Sequence, residues 1–294
     1  MPVAPKIQHG FAEVNGIRLH YAETGYDKSE LVLLLHGFPE FWFSWRNQLP
    51  VLGEHFHTVA PDMRGYNLSD KPSGVENYTI DVLVNDVTAL IDHFGKEKAA
   101  IVGHDWGAGV AWAVAQFRPE RVSKLAVMQV PPAAVWRANL SLRQLLRSWY
   151  MFFFQLPRIP EWLIQRNNFQ SIERTFTEMV FTKNTFSSSD IELYKEAMRK
   201  PGAVSAAVNY YRANVRRIMS NRRQIEHKPD GPVPIPTLFI FGEEDFAIIP
   251  ETVKGVEKFV HGPYQELRLP HSGHWVQNEA ATEVNRALLD FLEA

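Results

Sequence analysis

Residues 99–107 read AAIVGHDWG: a short apolar run, then a central Asp105 with Gly103 and Gly107 two positions to either side. A strand that ends in small-X-nucleophile-X-small and continues as a helix makes a sharp turn. That turn lifts one side chain above the carboxyl edge of a parallel sheet, where α/β folds place their ligands. The following segment, WGAGVAWAVAQFRPERV (106–122), has the spacing of an amphipathic helix. Small flanking residues suit a strained turn that tolerates little bulk. The central residue, however, is a carboxylate where Ser or Cys is usual. Taken alone, the stretch has two readings. Asp105 is an exposed nucleophile, or it caps the helix that follows, a role Asp performs well. A dinucleotide-binding reading of GAGVAW (107–112) is set aside, because the third glycine is missing and the next apolar run, LAVMQV (125–130), ends without an acid.

Working outward, GFAEVNGIRLHYAETG (10–25) alternates apolar and polar residues around Asn15-Gly16, a strong hairpin signal. The runs LVLLLHG (31–37), HTVAPDMRG (57–65) and KLAVMQV (124–130) are apolar on both faces, and TIDVLVNDVTALIDHFG (79–95) is helical in period. Such runs separated by helices predict an α/β fold with a mostly parallel sheet covered by helices. After Pro131-Pro132 the pattern changes: from 133 to about 225 there is no continuous β-type run, and the segment is aromatic and Arg-rich. Strand signals return in IPTLFIFGEED (235–245) and YQELRLPHSGH (264–274), with the Pro-rich GPVPIP (231–236) as re-entry. The expected organisation is a core in two parts, 1–132 and 229–294, interrupted by a helical lid over 133–228.

Composition narrows the function classes. The chain has 294 residues, 45% of them hydrophobic, a formal net charge of −2 and no cysteine. No overall basic field invites nucleic acid. Disulfides, thiolate metal sites and cysteine nucleophiles are excluded together. The histidines are scattered, so neither a metal site nor a cofactor is expected. The first 14 residues contain no apolar h-region, and LVLLL is far short of the ~20 residues a membrane-spanning helix requires. A cytoplasmic protein without a membrane span, monomer or homodimer, is the expectation. Asn67, Asn77 and Asn139 begin Asn-X-Ser/Thr triplets, read as chance matches in that setting. RANVRRIMSNRR (212–223) is read as a solvated helix face.

Two further pieces follow in chain order. FGEEDF sets Asp245 just beyond a predicted strand, and HSGHW sets His274 in a loop near the C-terminus. Nucleophile, acid, histidine is the order of the Ser-Asp-His triad on α/β-hydrolase folds. Glu243 and Glu244 are neighbouring alternatives for the acid, whereas MQVPP offers no carboxylate. A fourth piece, HGFPEFWFSW (36–45), follows LVLLL and forms a turn whose backbone N–H groups face the elbow. Phe38 and Trp106 are the expected donors of an oxyanion hole.

Together, HGFPE…SWRNQ, PDMRGYNLSDKP, VGHDWG, GEEDF and GHWVQ resemble the soluble epoxide hydrolases of the α/β-hydrolase superfamily, in motif order and spacing, over nearly the whole chain. Haloalkane dehalogenases share the Asp-Trp elbow. A carboxylate, already ionised at neutral pH, suits displacement at a saturated carbon and leaves an alkyl ester of Asp105. His274, oriented by Asp245, then activates water against that ester. The resemblance also implies two lid tyrosines that donate to the epoxide oxygen. Tyr150 stands four residues before Phe-Gln in SWYMFFFQLP, and Tyr211 completes Asn-aromatic-Tyr-Arg in NYYRAN. The substrate class it implies is a small apolar epoxide, with water as co-substrate. Fluoroacetate dehalogenases carry arginines where this chain has Trp106 and Gly109, and haloalkane dehalogenases often carry Asn where it has Phe38. A haloalkane dehalogenase and a non-catalytic ligand-binding protein on this fold are the alternatives. Asn67 stands where the family often has Gly; Asn tolerates left-handed backbone. The remaining aromatics, Trp42, Trp45, Trp149, Trp162, Phe152 and Phe153, are expected mostly to pack lid on core.

Overall fold

The computed structural model describes residues 6–219 and 231–294. Eight strands form one sheet: β1 (Gln8–Val14), β2 (Ile17–Thr24), β3 (Leu31–Leu35), β4 (His57–Pro61), β5 (Ala99–His104), β6 (Val122–Met128), β7 (Thr237–Gly242) and β8 (Tyr264–Leu269). Their order is β1-β2-β4-β3-β5-β6-β7-β8; β1 pairs β2 and β2 pairs β4 antiparallel, and every other pairing is parallel. The first hairpin turns on Asn15 and Gly16, both at positive φ (47° and 74°), as its Asn-Gly pair predicts.

Helices cover both faces of the sheet. They are α1 (Leu49–Leu52), α2 (Ile80–His93), α3 (Trp106–Phe117), α4 (Ala133–Ala138), α5 (Leu142–Arg147), α6 (Trp149–Phe153), α7 (Ile159–Thr177), α8 (Ser188–Arg199), α9 (Ala203–Met219), α10 (Val276–Glu279) and α11 (Ala281–Glu293). The continuous LVLLL run reflects this double cover. Leu31, Leu33 and Leu35 enter the core shared with α2 and α3, while Val32 and Leu34 enter the one closed by α1 and α11. Gly107 lets α3 sit close on the sheet: a β-carbon there would lie 2.0 Å from the Leu35 carbonyl oxygen.

From α4 to α9 the described chain between β6 and β7 is helical, as the loss of β-type runs at 133 predicts. The expected end of that segment at 228, and the second half of the basic stretch 212–223, lie outside the described residues. Helix α7 is broken at Arg166–Phe169, where Asn167, Asn168 and Phe169 adopt left-handed backbone. Trp45 is fully buried, as packing requires. Trp149, Phe152 and Trp162 depart from the expectation: they are exposed on α6 and α7. No described helix is long and apolar enough to cross a membrane.

Candidate active site

Asp105 follows β5 directly and has φ 51° and ψ −119°, a conformation L-residues rarely adopt. Its backbone occupies the N-cap of α3, but its side chain makes no capping hydrogen bond. The carboxylate is turned instead toward the turn after β3, where the Phe38 backbone N–H donates to Oδ1 at 2.8 Å. The Trp106 N–H adds to the stabilisation of the carboxylate's charge. A β-carbon at Gly37 would lie 2.3 Å from that same Oδ1, so only glycine leaves room for this arrangement. The side chain thus makes no capping bond, and its carboxylate lies between the turn after β3 and His274.

The other oxygen, Oδ2, lies 3.8 Å from His274 Nε2. His274 is buried in the turn after β8, and its Nδ1 bonds Asp245 Oδ2 at 2.8 Å. Asp245 follows β7. Its Oδ1 accepts from the N–H groups of Ala247 (2.6 Å) and Ile248 (3.0 Å), while Glu244 is exposed and Glu243 pairs with Arg268. Only Asp245 of the three acids turns inward. Burial opposes its ionisation, but His274 and the two backbone donors outweigh that and hold its carboxyl below the ordinary range. Burial likewise opposes a charge on His274. The charge and hydrogen bond of Asp245, with Asp105 and Glu40 behind, prevail and raise its pKa from 6.5 to about 9. Burial pushes Asp105 upward, and His274, His104 and the two N–H donors resist.

Tyr150 and Tyr211 come from α6 and α9 and meet edge to face at 5.8 Å. Tyr211 also contacts the Trp106 and Phe38 rings, at 5.0 and 5.8 Å. Burial first, then the charge of Asp105, raises both phenols above 10, so they stay neutral donors. The residues around them explain the spacing of the two motifs. Gln155 Nε2 donates to the Met151 and Tyr211 carbonyls (3.0 and 3.3 Å), and Arg212 Nε donates to the Phe154 carbonyl at 3.0 Å. Phe-Gln and Tyr-Arg therefore tie the two tyrosine-bearing helices to each other. Tyr210 points elsewhere and donates to the Arg64 carbonyl at 2.7 Å.

Three residues of this constellation escaped the sequence reading. Gln129, after β6, donates through Nε2 to Asp245 Oδ2 (2.7 Å) and to the Gly273 carbonyl (3.0 Å), and accepts from Gly242 N–H (2.7 Å). Glu40 and His104 lie inside quoted motifs without an assigned role. His104 Nδ1 bonds Glu40 Oε2 at 2.8 Å, and its Nε2 bonds the His274 carbonyl oxygen at 2.8 Å. The buried ring is thus bracketed by two oxygens, one from the Glu40 carboxylate and one from the His274 backbone. Burial opposes the Glu40 charge, yet His104 dominates and brings its pKa down from 4.5 to about 2. Glu40 also accepts from Gly37 N–H at 3.0 Å, which joins the turn after β3 to the segment carrying His274. Among the described residues, no group of three or more His, Asp or Glu side chains is placed to hold a metal ion.

The chain is similar to known proteins over nearly its whole length. Residues 30–281 match the family model described as alpha/beta hydrolase fold. The chain is 38% identical over 287 residues to the AB hydrolase superfamily protein YfhM of Bacillus subtilis, covering 96% of this chain and 97% of that one. It is 38% identical over 282 residues to Epoxide hydrolase 3 of Mus musculus, covering 95% of this chain and 75% of the mouse protein. Among solved structures, an epoxide hydrolase from Bacillus megaterium superposes with a TM-score of 0.87 at 33% identity, covering 97% of this chain and 100% of that one. Epoxide Hydrolase A from Mycobacterium thermoresistibile gives 0.88 at 30% identity, over 98% and 99% of the two chains.

Proposed function

The chain belongs to the alpha/beta hydrolase family, and on that footing we propose that it hydrolyses epoxides to vicinal diols through a covalent ester on Asp105. The observation that carries this reading is a carboxylate, not a hydroxyl, at the elbow, with two neutral, mutually packed phenols near enough for its charge to oppose their ionisation. Relatives named epoxide hydrolases, at 34–38% identity, support the substrate class.

Asp105 Oδ1 is held by the Phe38 N–H, which leaves Oδ2 to attack an epoxide carbon. As the ring carbon–oxygen bond breaks, Tyr150 and Tyr211 hydrogen-bond the developing alkoxide, and one gives it a proton. A serine would serve poorly here, because displacement at a saturated carbon needs a nucleophile already charged. Forming the ester removes the negative charge of Asp105. One of the charges that holds His274 protonated is then gone, so the imidazole gives up its proton, which restores the tyrosinate left by ring opening, and the neutral ring becomes the base of the next step. It takes a proton from water, which attacks the ester carbonyl carbon. Phe38 and Trp106 N–H groups then meet the oxyanion, each such donor being worth ~3 kcal/mol. The intermediate collapses as the ester carbon–oxygen bond breaks, the departing diol oxygen takes the proton held by His274, and the Asp105 carboxylate is restored. The inserted helices, 133–228 in the sequence reading, act as a lid that supplies both phenols.

Intact-mass analysis of a His274→Gln variant mixed with styrene oxide tests the scheme. The expected product is a stable adduct on Asp105 with the mass of the whole epoxide, oxygen retained. No adduct, or a halide-displaced alkyl adduct from a haloalkane panel instead, sinks it.

A further inference from the structure

The inserted helices carry an apolar face that the proposed chemistry does not use. Leu142 and Leu146 on α5, Trp149 and Phe152 on α6, and Ile159 and Trp162 on α7 are all exposed, Leu142 to 73%, Trp149 to 61% and Trp162 to 58%. They fall within 21 consecutive positions and recur at helical spacing, Leu142/Leu146 and Ile159/Trp162 among them. Six large apolar residues held in water within so short a length of chain are more than single surface hydrophobics account for, and are the composition of a docking surface.

The charges interleaved with this face identify its partner. Arg143, Arg147 and Arg158 are exposed in the same stretch and Arg166 four residues beyond it, and the one acid among them, Glu161, is engaged by Arg212. Arg147 donates to the Asp245 and Phe246 carbonyls. Arg166 lies over the Trp162 ring at 5.1 Å. Among the described residues, Arg147, Arg158 and Arg166 have no carboxylate in ion-pair range, and Arg143 reaches Glu251 only at 3.9 Å between two exposed side chains. A second copy of this chain would set arginines against arginines. A surface of anionic lipid complements both features at once: leucine, phenylalanine and tryptophan enter the acyl boundary, and the arginines meet the headgroups. The formal charge of the whole chain, −2, does not oppose this, because the attraction acts within about a Debye length of the face.

We propose that the exposed apolar face of α5, α6 and the start of α7 docks the protein on anionic membrane surfaces. Docked this way, α6 lies against the bilayer with Tyr150 on the same helix.

Flotation with phosphatidylglycerol-containing vesicles, compared with pure phosphatidylcholine, tests this whatever reaction the site carries. The wild type is expected to float with the anionic vesicles, about tenfold more than with the neutral ones, and to be released at high salt. Leu146→Glu/Trp162→Glu is expected to lose flotation while its thermal melt stays close to wild type. Arg143→Gln/Arg158→Gln is expected to lose the preference for anionic lipid. Absence of wild-type flotation, or equal flotation by the Leu146→Glu/Trp162→Glu variant, overturns the proposal. So does a wild-type dimer in sedimentation equilibrium that Trp162→Glu converts to monomer without any vesicle binding, since the face would then join two copies.

Discussion

Gln129 Nε2 donates to Asp245 Oδ2, the same oxygen that accepts from His274 Nδ1, at 2.7 and 2.8 Å. One carboxylate oxygen is thus fixed between an amide from the end of β6 and the imidazole from the turn after β8. Gln129→Leu removes the amide and leaves Gly242 N–H without its acceptor. The expected cost is about 1–3 kcal/mol of stability, read from urea melts. A loosened Asp245 also slows ester hydrolysis about tenfold, if one orienting bond of ~1.4 kcal/mol is lost, read from single-turnover decay of the ester.

Tyr150→Phe and Tyr211→Phe separate ring opening from ester cleavage. Each is expected to slow ester formation by about a hundredfold, the usual range for losing a general acid. Breakdown of an ester already formed is expected to be nearly unchanged. Rapid-quench measurement of both phases checks this, and equal slowing of the two would assign the tyrosines to packing alone.

The pH dependence of stability follows from His274. Its pKa is raised from 6.5 to about 9 in the folded protein, so its charged form stabilises the fold. That contribution is fully present below 6.5 and is lost as pH rises through about 9; its upper bound is roughly 3 kcal/mol. Melting temperatures of the wild type and His274→Gln, compared at pH 6 and pH 9.5, should converge at the alkaline end.

Glu40 behaves in the opposite sense. With its pKa brought down to about 2 from 4.5, its contribution is present above 4.5 and is lost as pH falls toward 2. Glu40→Gln leaves its buried partner His104 facing a neutral amide. Breaking a buried pair in this way is expected to cost about 3–5 kcal/mol, measured by chemical denaturation near pH 7.

Gly37→Ala pushes a methyl group against Asp105 Oδ1. The carboxylate must shift, and a misplacement of ~1 Å costs about a hundredfold in rate. Loss of ester formation with an unchanged circular dichroism spectrum is the expected outcome.

Asp105, Asp245 and His274 were legible because each stands one to five residues beyond an apolar run, so strand ends bring them to one sheet edge. Gln129 was not legible, since its partner lies 116 positions away and only the β6–β7 pairing joins them. Glu40 and His104 stand in recognisable motifs, but their mutual contact is tertiary. The outward turn of Trp149 and Trp162 escaped for another reason: helical period groups residues on a face without saying what the face meets. The break in α7 was signalled only by Asn167-Asn168, the residues that best tolerate left-handed backbone.

The sheet order has a kinetic meaning. The bond from His104 to the His274 carbonyl spans 170 positions, and the constellation draws on turns after five strands. Contacts of such long separation close slowly, because chain entropy is lost before they form. A nascent chain that has reached β6 already carries its carboxylate elbow, yet lacks both the imidazole and the acid that orients it. Recovery of turnover during refolding should therefore lag the return of helical signal, and serve as a clock for the docking of β7 and β8.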